Sequence, residues 1–230
     1  MKQTLSSKIL EYNKKLSQVS INLPNNYKII NPYNNNLVNK VTNIFYNKYY
    51  NDNNKRRLIL GSNPSRSKSA ILGIPFEDAN HLMKDTGIII DNKYISNTSS
   101  NFLEEVITKY GGYKKFYSHF YMNFIFPLGI VKINSKGNET NSNYYDNKSL
   151  QNTLYNFIIN SLKNIIDLGI DTEICYCIGS GENYKFLLRI NNEYHFFKQI
   201  IPLEHPRFIM QYNSKNKEYF LQKYLKELNR

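Results

Sequence analysis

Cysteine is scarce: Cys175 and Cys177 are the only two in 230 residues. Four thiolates for an iron–sulfur cluster are therefore missing, and no further ligands stand at zinc-like spacing around the pair. In EICYCIGS the two lie on one face of a strand, too close along the chain for an ordinary disulfide. Reduced, buried thiols of a cytoplasmic protein are the expectation. Long apolar runs are lacking as well. None reaches the roughly 18 residues of a membrane span, and the opening MKQTLSSKILEYNKK breaks its apolar positions with Lys and Glu, unlike a signal peptide. No membrane partner is expected. Acidic residues are few, 18 against 30 Lys and Arg, for a net charge of +12. That excess favours a polyanionic partner, although the abundance of Asn, Lys, Ile and Tyr is also how an AT-rich coding bias looks. There are no internal repeats and no complete phosphate-binding fingerprint.

What is present suffices for a folded core. Apolar residues make up 41% and aromatics 14%, too much for a disordered chain. Helical periodicity runs over Leu5 to Val19 and Leu37 to Tyr50, joined by a connector holding Pro24 and Pro32. RRLILGS is a short continuous apolar run, the mark of a buried parallel strand. A short helix is expected over Glu77 to Lys84, and another through Phe102, Val106 and Tyr110, ended by Gly111-Gly112. His119 to Val131 reads as a second strand closed by Pro127, and Lys132 to Asn147 as a polar surface loop. An amphipathic helix from Leu150 stops at Gly169; TEICYCIGS is a third strand, followed by a helix over Gly181 to Asn191. QIIPL, Gln199 to Leu203, is a fourth strand, and Leu221, Tyr224, Leu225 and Leu228 stripe a last helix. Strands alternating with helices imply an α/β fold: a three-layer α/β/α sandwich around a central, mainly parallel four-stranded sheet. One domain over residues 1–230 is expected, with 1–54 a helical extension packed on it. Ligands of such sheets bind at the carboxyl ends of the strands, which singles out GSNPS, FPLG and EHPR.

Three residues in these loops carry two readings each. Asn63 in GSNPS is an ordinary turn residue, or a strand-end amide that orients a water. An amide removes no proton, so it suits only a reaction whose electrophile is reactive by itself. His205 in EHPR is a surface histidine at a Pro turn, or a donor to an oxygen gaining negative charge. Phe76, after Gly73-Ile74-Pro75, is core, or a ring that stacks on a flat ligand. His81, His119 and His195 have no partner pattern and read as structural, and Gly179-Ser180-Gly181 reads as a strand-to-helix turn.

Taken together, G-x-N-P, then G-I-P-F, then H-P-R far downstream resembles the uracil-DNA glycosylase superfamily, nearest the single-strand-selective monofunctional type and its bacterial relatives. The resemblance spans most of residues 55 to 212. It implies a monofunctional glycosylase that releases uracil, with other deaminated or oxidised bases as further candidates, from DNA to start base-excision repair, without metal or other cofactor. A catalytically weak lesion-binding protein using the same cleft is the alternative. Asn63 matches the residue that positions the attacking water, and His205 the residue that stabilises the departing base anion. Phe76 matches the ring that stacks on the extruded base, with Gly61, Ser62 and Ser65 beside it in the base site. Asn123 matches the base-reading Asn, though it stands one residue further from the following Pro than in the vertebrate pattern; backbone groups near Ile125 and Phe126 are the other readers. Ser65 departs from the usual Gly and from the Tyr of thymine-excluding relatives, which leaves base selectivity open. Pro64, Arg66 and Lys68 would meet DNA at the first motif, and Pro206 and Arg207 would form a loop that wedges into the duplex. Lys55, Arg56 and Arg57 read as part of the same basic rim or as a solvated charged stretch. No Lys stands where a Schiff base would form, so no strand cleavage is expected. A monomer acting on DNA is the resulting picture.

Overall fold

The computed structural model describes residues 3–66, 72–77, 79–91 and 99–230. Four strands, β2 (Arg57–Gly61), β3 (Phe120–Phe124), β6 (Asp171–Ile178) and β7 (Gln199–Leu203), form one sheet in the order β3-β2-β6-β7. Every pairing in it is parallel. Leu58, Ile59 and Leu60 of the inner strand β2 are all buried, because helices cover both faces of a parallel sheet. Period-2 alternation then sorts the side chains. Tyr121 of β3 meets Tyr46 and Tyr50 at the end of α2 (Asn36–Tyr49). Phe120 points the other way, onto Tyr110 of α4 (Ser99–Tyr110) and Tyr176 of β6. The Tyr176 hydroxyl donates to the Glu227 carbonyl of α9 (Lys217–Leu228), 2.9 Å away. The expected layers are these.

A second sheet lies outside the expectation. β1 (Tyr27–Ile30), β4 (Gly129–Ile133) and β5 (Glu139–Asn141) pair antiparallel in the order β1-β4-β5. The run His119 to Val131 is therefore two strands. Pro127 has no N–H to donate to a ladder, so the chain turns there and re-enters a different sheet. Lys132 to Asn147 folds back as a hairpin whose β5 is exposed throughout, so its polar sequence shows no alternation.

The first 54 residues are tied to the rest by specific bonds rather than packed as a purely helical appendage. β1 supplies a strand to the small sheet. In α1 (Leu5–Ser17), Lys8 Nζ donates to the Leu168 carbonyl at 3.0 Å, and the Tyr12 hydroxyl meets Ser161 Oγ at 2.7 Å. The Tyr50 hydroxyl donates to the Phe120 carbonyl. One apolar cluster runs from Leu5 to Leu228.

The remaining helices are α3 (Ala79–Thr86), α5 (Tyr113–His119), α6 (Lys148–Ile166), α7 (Glu182–Tyr194) and α8 (Pro206–Tyr212). The chain leaves β2 for β3 on one side and later returns through β6 on the other. That reversal makes the carboxyl edge between β2 and β6 the topological switch point, where loops diverge and leave room for a ligand.

Candidate active site

Strand register sets the positions of the two polar candidates. Leu60 of β2 pairs with Cys177 of β6, which pairs with Pro202 of β7. Asn63 and His205 each follow this row by three residues, so both leave the sheet at its carboxyl edge, from strands two spacings or about 10 Å apart.

Asn63 is half-buried and its carboxamide is held from both ends. Nδ2 donates to the Ser142 carbonyl at 3.1 Å and to the Pro64 carbonyl at 3.3 Å. Oδ1 accepts from the Tyr144 N–H at 3.2 Å. These partners fix which end is oxygen, since an N–H only donates and a carbonyl only accepts. Both amide protons are engaged, and one Oδ1 lone pair is left to accept a further hydrogen bond. The segment supplying the clamp is itself braced: the Ser142 N–H bonds the Ile130 carbonyl, and Asp146 Oδ2 accepts from the Asn143 N–H at 2.7 Å.

Phe76 lies over the end of β2. A Cβ on Gly61 would come within 2.6 Å of Phe76 Cζ and 2.8 Å of Phe124 Cδ1, so only glycine admits the two rings there. Phe76 and Phe124 sit 5.3 Å apart between centroids. The backbone of Phe76 is left-handed, φ +64°, a conformation costing a bulky residue about 1–3 kcal/mol. The next side chain holds it there. Glu77 is buried, accepts from the Tyr117 hydroxyl, and pairs with His81 Nδ1 at 2.5 Å. Burial alone would lower the His81 pKa; the Glu77 carboxylate outweighs it and raises it. His81 is thus a brace beneath the Phe76 turn, stacked on Tyr113 at 3.6 Å.

His205 caps α8. Its Nδ1 accepts from the Arg207 N–H at 3.1 Å. A ring nitrogen that accepts carries no proton, so the proton of the neutral ring is on Nε2. Burial, with the Arg207 charge adding to it, lowers the His205 pKa from 6.5 to about 4, and the ring is neutral near pH 7.

A family model for the uracil DNA glycosylase superfamily matches residues 47–229. The chain belongs to that superfamily. Eleven solved chains match it as well. One is the crystal structure of wild-type SMUG2 from Pedobacter heparinus, 41% identical, with a TM-score of 0.93 over 99% of this chain and 98% of that one. No curated protein matches.

The other residues expected in a glycosylase site divide. Ser62 is half-buried, and its Oγ donates to Asn143 Oδ1 at 3.3 Å. Pro64 is buried, Ser65 half-buried and Arg66 exposed, with the Arg66 N–H bonded to Asn141 Oδ1 at 2.7 Å. Lys68 lies outside the described residues. Asn123 is buried near the end of β3, its Nδ2 donating to the Tyr121 hydroxyl and its Oδ1 accepting from the Phe124 N–H. The Ile125 and Phe126 N–H groups donate to the Gly61 and Ser62 carbonyls, so as donors they are closed to a ligand. That removes the backbone-donor route at those two positions.

Two expectations are corrected. Pro206 and Arg207 are not in an extended loop: Pro206 is the buried first residue of α8 and Arg207 the exposed second, because Pro fits the first helical turn and His205 caps it. Lys55 to Arg57 do not border the first motif. They stand at the amino end of β2, roughly 20 Å along the strand from Asn63. Arg56 is fully buried, bonded to the Tyr117 and Asn54 carbonyls and to Asp52. Sequence reading did not single out Phe208 and Tyr212. They are exposed on α8, one turn apart and immediately after Arg207, where an apolar residue on a solvent face is the available signal.

His119 bonds the Tyr110 hydroxyl at 2.7 Å, and His195 ends α7 in a left-handed conformation. Both cysteines are buried free thiols; burial pushes Cys177 up to about 12. No described helix is long and apolar enough to cross a membrane.

Proposed function

We propose that this protein is a monofunctional DNA glycosylase that hydrolyses the N-glycosidic bond of uracil in DNA, at Asn63 and His205. What supports the reading is that Asn63 Oδ1, with one lone pair unengaged, and a neutral His205, with Nδ1 taken by the Arg207 N–H, both follow one row of paired residues at the carboxyl edge of the sheet.

The chemistry follows from those two states. Breaking the C1′–N1 bond leaves a sugar cation and a uracil anion, an oxocarbenium-like course. The cation needs only a water held in line, and Asn63 Oδ1 accepts one hydrogen from that water and sets its direction. The water oxygen adds to C1′, and its proton leaves to solvent once the bond has formed. The carboxylate next to the stacking ring, Glu77, is turned into the core against His81 and Tyr117, so the water is oriented rather than deprotonated. His205 donates Nε2–H to a carbonyl oxygen of the departing base. A neutral donor suits an anion of modest basicity, and one such donor contributes about 2.7–4 kcal/mol.

The target base is unreachable in a stack, so the nucleotide turns out of the helix. Phe76 then stacks on it, with Gly61 giving the ring its seat. Asn123 borders the base from β3. Arg66 and Arg207 meet backbone phosphate, and Phe208 and Tyr212 stack on bases beside the vacated position. The small Ser65 tolerates a substituent at C5, which places other modified pyrimidines within reach. The protein acts as a monomer in the cytoplasm, without metal.

A labelled oligonucleotide with one uracil tests the reading. Free uracil should appear from single- or double-stranded substrate, with no strand cleavage. Asn63→Ala should slow release by about 10²-fold or more while keeping affinity for abasic DNA. No release from either substrate contradicts the reading, and tight abasic binding without turnover would mark a lesion-binding protein.

A further inference from the structure

The Asn63 clamp is made by backbone of residues 142–144, a stretch without regular structure. Something must hold that stretch to a fraction of an ångström if it sets the direction of a water. The Tyr144 side chain is fully buried, and its hydroxyl donates to Asn183 Oδ1 at 2.8 Å. Asn183, buried in the first turn of α7, donates Nδ2 to the Ile178 carbonyl at 2.9 Å. Ile178 is the last residue of β6. Edge-on contact with Phe186, 4.9 Å between centroids, holds the Tyr144 ring in place.

We propose that Tyr144 and Asn183 are positioning residues for the reaction: they latch the 142–144 segment to the end of β6 and so aim the Asn63 carboxamide. The path is continuous, from the Ile178 carbonyl through Asn183 and the Tyr144 hydroxyl to the Tyr144 N–H and Asn63 Oδ1. The sheet and the water-orienting oxygen are thereby one rigid unit. Removing the hydroxyl leaves Asn183 Oδ1 unpaired and lets the Tyr144 N–H drift from Asn63. A 1 Å misplacement of a reacting group costs about 10²-fold in rate, so a smaller drift predicts about tenfold. The inference rests on the role given to Asn63 above.

Tyr144→Phe, which keeps the ring, is the test, with Tyr12→Phe as the control that deletes another buried hydroxyl bond, the one between α1 and α6. Single-turnover release with Tyr144→Phe should fall about tenfold, affinity for abasic DNA should stay within about twofold, and Tyr12→Phe should lower Tm without slowing release. In an Asn63→Ala background Tyr144→Phe should cost nothing more, because residues acting through one group are non-additive. A rate within twofold of wild type, an equal loss in both backgrounds, or a loss of affinity matching the loss of rate would overturn the proposal. A readout independent of turnover separates it from the glycosylase reading. The Asn63 side-chain NH₂ resonances, assigned by their disappearance in Asn63→Ala, should be resolved and slow to exchange in wild type and should collapse toward free-amide shifts in Tyr144→Phe. Unchanged resonances overturn the latch even if wild type releases uracil. Collapsed resonances uphold the latch even if it releases none.

Discussion

The two ends of the parallel sheet differ in kind. At the amino end, Lys55, Arg57, Lys115, His119 and Arg230 surround an open cavity of about 430 Å³, with Asp171 among them. At the carboxyl end, Asn63, Phe76 and His205 are uncharged or neutral at pH 7. A search by charge would choose the first end; a search by register and switch point chooses the second. Each end also holds a histidine of lowered pKa. Burial and the charges of Lys115, Arg56 and Arg57 lower His119, and burial with Arg207 lowers His205. A depressed pKa therefore does not mark the site. The distinguishing fact is what each ring bonds: a tyrosine hydroxyl for His119, a backbone N–H that leaves the proton on Nε2 for His205.

Substitutions at the two ends should separate stability from activity. The largest effect is expected at the amino end, where Arg56→Leu strands Asp52 and two carbonyls that a buried guanidinium now satisfies. A stability loss of about 2–4 kcal/mol is predicted in chemical denaturation, chiefly from the two carbonyls left without a donor, with the salt dependence of DNA binding unchanged. A loss below 1 kcal/mol would return Arg56 to the exposed basic rim.

Next is His205→Asn, which keeps a capping oxygen for α8 but withdraws the Nε2–H donor. Uracil release should fall about 10²–10³-fold at nearly constant Tm. The histidine also predicts an acid limit. Its folded pKa of about 4 lies below the unfolded 6.5, so between them the unfolded chain binds more protons. The stability it contributes is present above pH 6.5 and is lost as pH falls toward 4. Tm of the wild type should drop across that window more steeply than Tm of His205→Asn; parallel curves would contradict the assignment.

Those variants also separate what the residues declared from what only three dimensions reveal. The four parallel strands were legible because double burial leaves uninterrupted apolar runs such as LIL in β2 and QIIPL in β7. Asn63, Phe76 and His205 could be singled out as candidates because Gly and Pro punctuate their loops and because the three motifs together resemble the superfamily. The small sheet was not, since β1 has four residues and β5 is wholly exposed, so neither shows a buried face. Arg56 was misleading because an Arg flanked by Lys and Arg reads as solvated, and its burial depends on Tyr117 and Asp52. Tyr144 and Asn183 gave no signal at all. Tyr144 lies in an Asn-rich stretch, Asn183 is a polar residue in the helical pattern of α7, and their bond joins residues 39 apart.

The smallest predicted difference concerns charge. Arg66→Ala should reduce the slope of log affinity against log salt by about 1, and Lys55→Ala, at the other end, should leave it unchanged. Equal slopes for the two would mean that DNA tracks both edges.

The most direct measurement is a crystal structure with an oligonucleotide carrying a non-hydrolysable 2′-fluoro-deoxyuridine. The account predicts an everted pyrimidine against the Phe76 ring, a carbonyl oxygen within about 3 Å of His205 Nε2, and a water on Asn63 Oδ1 facing C1′. A uracil still stacked in the DNA, or nucleic acid seated at the Lys55–Arg57 end with the Asn63 edge unoccupied, would contradict it.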